Sequence, residues 1–281
     1  MANGILYIVA TPIGNLNDIT LRALEVLKQV DLIAAEDTRH SRKLLDAYHI
    51  GTRLVAVHDH NEADRAGYLC GLLAEGQSIA LISDAGTPLI SDPGFRLVRS
   101  VRETGFDVIT IPGPCAAVAA LSVAGLPTDR FLFVGFLPAK QQARRGELER
   151  LQHESATLVF YESPKRIVDL LEDIVLVYGS ERQVAIAKEL TKAFETVRAA
   201  PVGDLVAWLK EDEQRQRGEF VVLVQGYEVQ EGEVTIDAKV LRGITLAREH
   251  MPLKKACALV SELTGIGKNQ LYDAALKQTN T

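Results

Sequence analysis

The stretch "LISDAGTPLISDPG", residues 81–94, decides how this chain is read. A short apolar run, Ile79 to Ile82, passes directly into Ser-Asp-Ala-Gly and then Ser-Asp-Pro-Gly. Short apolar runs bounded by turn residues are the mark of buried strands. Gly86, Pro88, Pro93 and Gly94 permit or fix tight turns, and Asp84 and Asp92 alternate with them. A strand that ends in so much stiff, polar backbone forms the wall of a cleft.

Outward from this strand the same pattern recurs. Apolar runs lie at 5–10, 31–35, 54–57 and 107–111. Between them Leu21, Leu24, Leu27 and Val30 fall at helical spacing, and a second apolar face occupies 62–74. Strands alternating with helices predict a parallel sheet with helices on both faces, here over residues 1–115. Ligands of such sheets sit at the carboxyl ends of the strands. Five polar loops gather there: "TPIGN" (11–15), "EDTRHS" (36–41), "HDHNE" (58–62), residues 83–94 and "PGPCAA" (112–117).

After a small-residue helix, Pro114 to Gly125, the pattern changes. Runs at 131–136, 156–161, 183–187 and 220–224, with fewer intervening helices, predict a second domain with a mixed sheet over 116–228. A polar stretch, 229–234, leads to a helical tail over 235–281. There "PLKKACALVSELTGIGKNQLYDAALKQ" reads as two short amphipathic helices around "TGIG", a pairing that suits either nucleic-acid docking or a packing cap. The fold class is α/β, with two α/β domains and a small C-terminal helical region.

A chain of 281 residues with 47% apolar and 24% charged residues has the make-up of a soluble enzyme. No apolar run approaches the roughly 20 residues that span a bilayer, and "MANGILYIVATPIGN" reads as a first strand rather than a signal peptide. The expected location is the cytoplasm, with Cys70, Cys115 and Cys257 as three buried thiols. His58 and His60 flank Asp59, a weak pattern for a metal, and none is expected. Net charge is −6, which argues against a basic coat for nucleic acid. The charge is uneven, however. From Lys239 onward seven basic residues face only Glu249, Glu262 and Asp273, so the tail carries +4 and the remainder −10.

Neither G-x-G-x-x-G nor G-x-x-x-x-G-K-[ST] occurs, so a cofactor cradled by its phosphates is not expected. The loops offer backbone amides and carbonyls, the small residues Ala85, Gly86, Ala116 and Ala117, and the carboxylate of Asp84. Such a set suits a flat ring read by main-chain hydrogen bonds, with a carboxylate for ribose hydroxyls or a positive charge.

The motifs "VATPIGNLNDITLRA", "AEDTRHSRKLL", "SDAGTPLISDPG", "IPGPCA", "GFLPAKQQARR", "FYESPKR", "AKELTK" and "GEFVVLV" together resemble the tetrapyrrole methylase superfamily, and within it the branch acting on ribosomal RNA. The resemblance runs from Ile5 to Leu276. It implies S-adenosylmethionine in a cleft between two α/β domains, a homodimer, and as substrate the 2′-hydroxyl of a cytidine in 16S ribosomal RNA of the small subunit. It further implies cofactor contacts from Pro12, Ser83, Asp84, Ala85, Gly86, Thr87, Pro88, Ser91, Ala116, Ala117, Phe160, Tyr161, Leu190 and Thr191.

A ribose hydroxyl is a weak nucleophile near neutrality, so a base or an alkoxide-stabilising cation is needed. In "EDTRHSRK", Asp37 or Glu36 can accept a proton, while Arg39, Arg42 and Lys43 can hold phosphates or an alkoxide. The same residues read equally as a helix start capped by Asp37 or Thr38. A second set is Lys188, Glu189, Lys192 and Glu195, with Glu219. The candidate catalytic residues are thus Asp37, Arg39, Lys188 and Glu189, with the choice between carboxylate and lysine open. For RNA contact the candidates are Arg42, Lys192, Lys254 and Lys255, together with Lys140, Arg144 and Arg145 in "PAKQQARRGELER" (138–150), which reads as a mobile loop or equally as a solvated helix face. Two other readings stand beside this one: a methyltransferase of a small molecule such as a tetrapyrrole precursor, and a catalytically silent RNA-binding module. The basic tail weighs against the first, and the dense cleft charges against the second.

Overall fold

A computed structural model describes residues 4–58, 62–228 and 238–278. The chain divides into two compact units, Met1–Gly226 and Tyr227–Thr281. The larger one is built on two five-stranded sheets. The first contains β1 (Ile5–Val9), β2 (Leu32–Ala35), β3 (Leu54–Ala56), β4 (Ile79–Ile82) and β5 (Asp107–Ile111). Its order is β3-β2-β4-β1-β5, and every pairing is parallel. All eight residues of β2 and β4 are buried, because helices cover both faces. Alternate residues divide between two cores. Ile33 and Ala35 join Ala23 and Leu27 of α1 (Leu21–Gln29) and Leu45 of α2 (Thr38–Ala47). Leu32 and Ala34 join Leu69 and Leu73 of α3 (Glu62–Ala74) and Leu97 and Val101 of α4 (Phe95–Glu103).

The second sheet follows α5 (Ala116–Val123) and contains β6 (Phe131–Phe136), β7 (Thr157–Glu162), β8 (Gln183–Lys188), β9 (Thr196–Pro201) and β10 (Phe220–Val224). Its order is β6-β7-β10-β8-β9, with β6 parallel to β7 and the other pairs antiparallel. Intervening helices are fewer here, as expected: α6 (Gln141–Leu151), α7 (Ile167–Tyr178) and α8 (Val202–Lys210), against four between the strands of the first sheet, and no helix joins β8 to β9. Their apolar residues meet Leu158, Phe160, Val184 and Ile186 in one core. The opposite face, with Val159, Ala185, Ala187 and Val221, packs on Ala117, Ala120 and Leu121 of α5.

Residues 141–151, expected as a mobile loop or a solvated helix face, form α6, and the expected role of Arg144 changes with it. Arg144 is buried, its Nε donating to Asp173 Oδ2 at 2.7 Å, while Arg145 Nε donates to Oδ1 at 2.6 Å. Asp173 is itself fully buried in α7. Arg144 is therefore an internal tie between helices and not an RNA contact. Lys140 remains exposed at the start of α6.

The smaller unit contains α9 (Ala238–Arg248), α10 (Leu253–Thr264) and α11 (Lys268–Gln278). Ile244, Ala256, Cys257, Val260, Leu271 and Ala275 form its own core. Gly265, at φ 73°, closes α10 in the left-handed conformation that glycine adopts without strain. Leu259 and Leu263 are exposed, as are Lys254 and Lys255 in the first turn of α10. Of the three thiols only Cys257 is fully buried; Cys70 and Cys115 are half-buried. Among the described residues no helix is long and apolar enough to cross a membrane.

Removing one partner of a buried ion pair strands the other charge, at a cost of about 3–5 kcal/mol. Asp173→Ala should lose stability of that order in urea unfolding, whereas Glu103→Ala, which removes the exposed Arg99–Glu103 pair, should change it by less than about 1 kcal/mol.

Candidate functional site

In the first sheet the chain leaves β1 toward β2 and leaves β4 toward β5, in opposite directions across two adjacent strands. Loops that diverge in this way open a crevice at the strand ends. The two loops are joined by backbone. Thr11 N donates to Gly86 O at 2.9 Å and Gly86 N donates to Thr11 O at 3.0 Å. Gly86 sits at φ 82°, and an added Cβ would lie 3.3 Å from Ile13 Cγ2. Thr87 Oγ1 donates to Pro114 O at 2.9 Å, which fixes the loop after β5. Asp37 N donates to Asp84 Oδ1 at 3.1 Å, which fixes the loop after β2. Four of the five expected loops are thus held together; in the fifth, residues 59–61, including His60, lie outside the described residues.

The second sheet supplies the facing wall. A bulge in β6 puts Gly135 at φ 74°, and a Cβ there would lie 2.9 Å from Ser91 Oγ. Gly14 approaches the β8–β9 turn so closely that a Cβ would lie 2.6 Å from Lys192 Cγ and 2.9 Å from Leu190 O. Four non-glycine residues on these two walls, Leu89, Ser91, Glu189 and Thr191, have positive φ. Such conformations cost on the order of 1–3 kcal/mol each and persist where surrounding structure holds them, often at functional sites.

Between the walls lies a cleft of about 500 Å³. Asp84, Ala85, Gly86, Thr87, Ser91, Ala116, Tyr161 and Leu190 line it, as expected from the motifs. Pro12 and Ser83 line a smaller adjoining cavity with Asp84. Pro88, Ala117 and Thr191 do not line the cleft, although Ala117 N donates to Tyr161 Oη at 3.1 Å and so orients that ring. Phe160 is fully buried on the other face of β7, because its parity matches Leu158 and not Tyr161.

The cleft's charge is one-sided. Glu36, Asp84, Asp92, Glu162 and Glu219 line it, with no lysine, arginine or histidine among its described lining residues. Burial raises the pKa of Asp92 above the ordinary 3.8, and the Asp84 charge adds to this against a Ser83 hydrogen bond that lowers it. Asp37 is the reverse case. Its side chain accepts from Arg39 and from the amides of Arg39 and His40 as the cap of α2, which holds its pKa at about 2. Neither Asp37 nor the exposed Arg39 lines the cleft; Glu36 does. Lys188 and Glu189 also lie elsewhere, in a cavity on the α8 side of the sheet. Asp92 was not among the sequence candidates, yet the doubled Ser-Asp-x-Gly pattern marked it.

Comparison with known proteins accords with this geometry. The model of the family Tetrapyrrole (Corrin/Porphyrin) Methylases matches residues 5–206. The chain belongs to this family. The description RsmI C-terminal HTH domain matches residues 234–279. A protein of Escherichia coli O157:H7 named Ribosomal RNA small subunit methyltransferase I is 57% identical over 277 residues, covering 99% of this chain and 96% of that protein. The like-named protein of Pseudomonas aeruginosa is 52% identical, covering 99% of each. In fold, a uroporphyrin-III-C-methyltransferase from Thermus thermophilus superposes with a TM-score of 0.56 at 24% identity, over 79% of this chain and 94% of that one.

Gly14 tests the close approach of the walls. Gly14→Ala should displace the β8–β9 turn and lower the melting temperature by several degrees, whereas Gly105→Ala, with open space around its Cβ, should cost only the strain of its positive φ.

Proposed function

We propose that this protein transfers a methyl group from S-adenosylmethionine to the 2′-hydroxyl of a cytidine in 16S ribosomal RNA. The observation that carries the cofactor part is the acidic cleft. Glu162 is paired with Arg166 and Glu219 with Lys192, cations that do not line the cleft. With Glu36, Asp84 and Asp92 the lining stays acidic, which suits a ligand bearing sulfonium and ammonium charges and disfavours a phosphate. The small walls at Ala85, Gly86 and Ala116 suit the adenine ring, and Asp84 and Glu36 suit ribose hydroxyls or the ammonium group. When bound, S-adenosylmethionine supplies an electrophilic methyl group on a sulfonium. The names of the full-length relatives support ribosomal RNA as the substrate.

Within this reading Asp92 accepts the proton of the attacking hydroxyl. Its raised pKa makes it a stronger base than Asp37, which capping has committed to α2. Tyr161, held by the Ala117 amide, forms a fixed aromatic wall, and burial keeps its hydroxyl protonated. Arg42, Lys43 and Lys140 are exposed and free to meet phosphates, as are Lys254 and Lys255 of the tail. Lys192 is not, since it lies between Glu189 and Glu219 at 2.8 Å from each. Pairing of two copies belongs to the same proposal. It is supported by β6, an edge strand exposing Phe131, Leu132 and Phe136.

The test is methyl transfer to 16S ribosomal RNA followed by mass mapping of methylated ribose. Asp92→Asn should lower the rate about 10²–10⁴-fold without unfolding the protein. A base must be ionised to act, so wild-type transfer should fall as pH drops through the raised pKa of Asp92. Methyl transfer to a porphyrinogen but not to RNA would replace this reading with the small-molecule one.

The tail yields a separate expectation. Lys254→Glu with Lys255→Glu should weaken RNA binding and flatten its dependence on salt, while calorimetry with S-adenosylmethionine stays unchanged. Unaltered RNA affinity at two salt concentrations would remove the tail from the RNA-binding surface.

A further inference from the structure

If the cleft carries no cation, the phosphates of an RNA strand whose ribose enters it must be held next door. The adjoining cavity, about 470 Å³, is lined by Lys188, Phe194, Trp208, Gln214, Arg215 and Arg217 together with Glu189 and Gly218. It and the cleft lie back to back. Ala187 and Leu190 face the cleft, and Lys188 and Glu189 face the cavity. In the segment leading into β10, Glu219 lines the cleft, while Arg217 and Gly218 line the cavity. Residue 218 packs tightly on Glu189: at φ 97°, a Cβ there would lie 2.5 Å from Glu189 Cγ.

Its charges sort into spent and available ones. Glu189 accepts from Lys192 Nζ at 2.8 Å and from the Glu219 amide at 2.9 Å. Arg215 pairs with Glu211 at 2.6 Å and stacks on Trp208, whose ring also has Arg198 within 5.2 Å. Lys188 Nζ donates only to the carbonyl of Gln214, at 2.7 Å, and forms no ion pair among the described residues. The Arg217 side chain is exposed and has neither a hydrogen bond nor an ion pair among them. Trp208 is taken by guanidinium groups, but the ring of Phe194 is 82% exposed.

Two cations without a salt-bridge partner, beside an uncovered aromatic ring, match the chemistry of a nucleotide in a single strand, a phosphate plus a base with an open face. We infer that this cavity binds a nucleotide of the RNA strand flanking the methylated ribose, with its phosphate on Lys188 and Arg217 and its base stacked on Phe194. The inference rests on the methyl-transfer reading above and adds to it a second RNA site.

The test measures binding of a labelled single-stranded oligoribonucleotide of the substrate sequence to the full chain by fluorescence anisotropy at two salt concentrations. Phe194→Ala should weaken binding about 5- to 100-fold, the range for loss of one base–aromatic stack. Phe194→Tyr, which keeps a ring, should bind as the wild type does. Arg217→Gln should weaken binding and lower the salt slope by about one phosphate contact. Affinity for S-adenosylmethionine and the melting temperature should stay unchanged in all three. Wild-type affinity in both Phe194→Ala and Arg217→Gln would overturn the site and leave the methyl-transfer reading intact. A wild-type protein that neither binds nor methylates RNA would overturn both.

Discussion

The structure turns on a two-bond backbone contact, Thr11 with Gly86, at the point where β1 and β4 send the chain in opposite directions. Two adjacent parallel strands ordinarily leave their C-terminal loops to solvent. Here each loop satisfies the other's amide and carbonyl, so neither needs water at that point. That closure requires a residue at position 86 with positive φ and no side chain toward Ile13, and glycine meets both conditions. Thr87 and Asp84 then extend the contact to Pro114 and Asp37, so the loops after β1, β2, β4 and β5 move as one piece. A rigid loop set lets a site offer fixed donors without an ordering cost when a ligand arrives.

Much of this was legible in the sequence for a specific reason. Strands buried on both faces, such as "LIAA" and "IALI", cannot hide among helices, because they are short and apolar throughout. Turn residues after them then locate the loops. The elements that escaped are those whose neighbours, not their own composition, decide their state. Strand β9, "TVRAAP", sits at a sheet edge and carries Arg198 and Pro201, so its pattern is too polar to read as a strand. Helix α6, "QQARRGELERL", is charge-dense and reads as a mobile loop or a solvated helix face until Asp173 of α7 is found beneath it.

Strand parity explains which of the expected residues line the cleft and which do not. In β7, Tyr161 faces the cleft and Phe160 cannot, since successive side chains point to opposite faces. In β8, Ala185 and Ala187 lie on the cleft face while Val184 and Ile186 lie in the helix-side core, so Lys188 follows the latter. The motif "AKELTK" keeps such residues together in sequence, yet the fold deals them alternately to two surfaces. Asp37 illustrates a different limit. Capping and catalysis ask for the same residue type at a helix start, and the hydrogen bonds at Arg39 and His40 show that this carboxylate caps α2.

Charge is separated where β8 ends and where the chain enters β10. A cleft for a cationic cofactor and a path for a polyanion make opposite demands, and placing both in one cavity would pair their side chains with each other. Lys192 shows that outcome: wedged between Glu189 and Glu219, it holds the β8–β9 turn and has no charge left for a phosphate. The chain where β8 ends and where it enters β10 avoids it: Ala187, Leu190 and Glu219 line the cleft, and Lys188 and Arg217 line the other cavity. Under the proposed methyl-transfer reading, the acidic lining of the cleft disfavours a phosphate there and leaves the cation-bearing side as the favourable place for the strand's backbone.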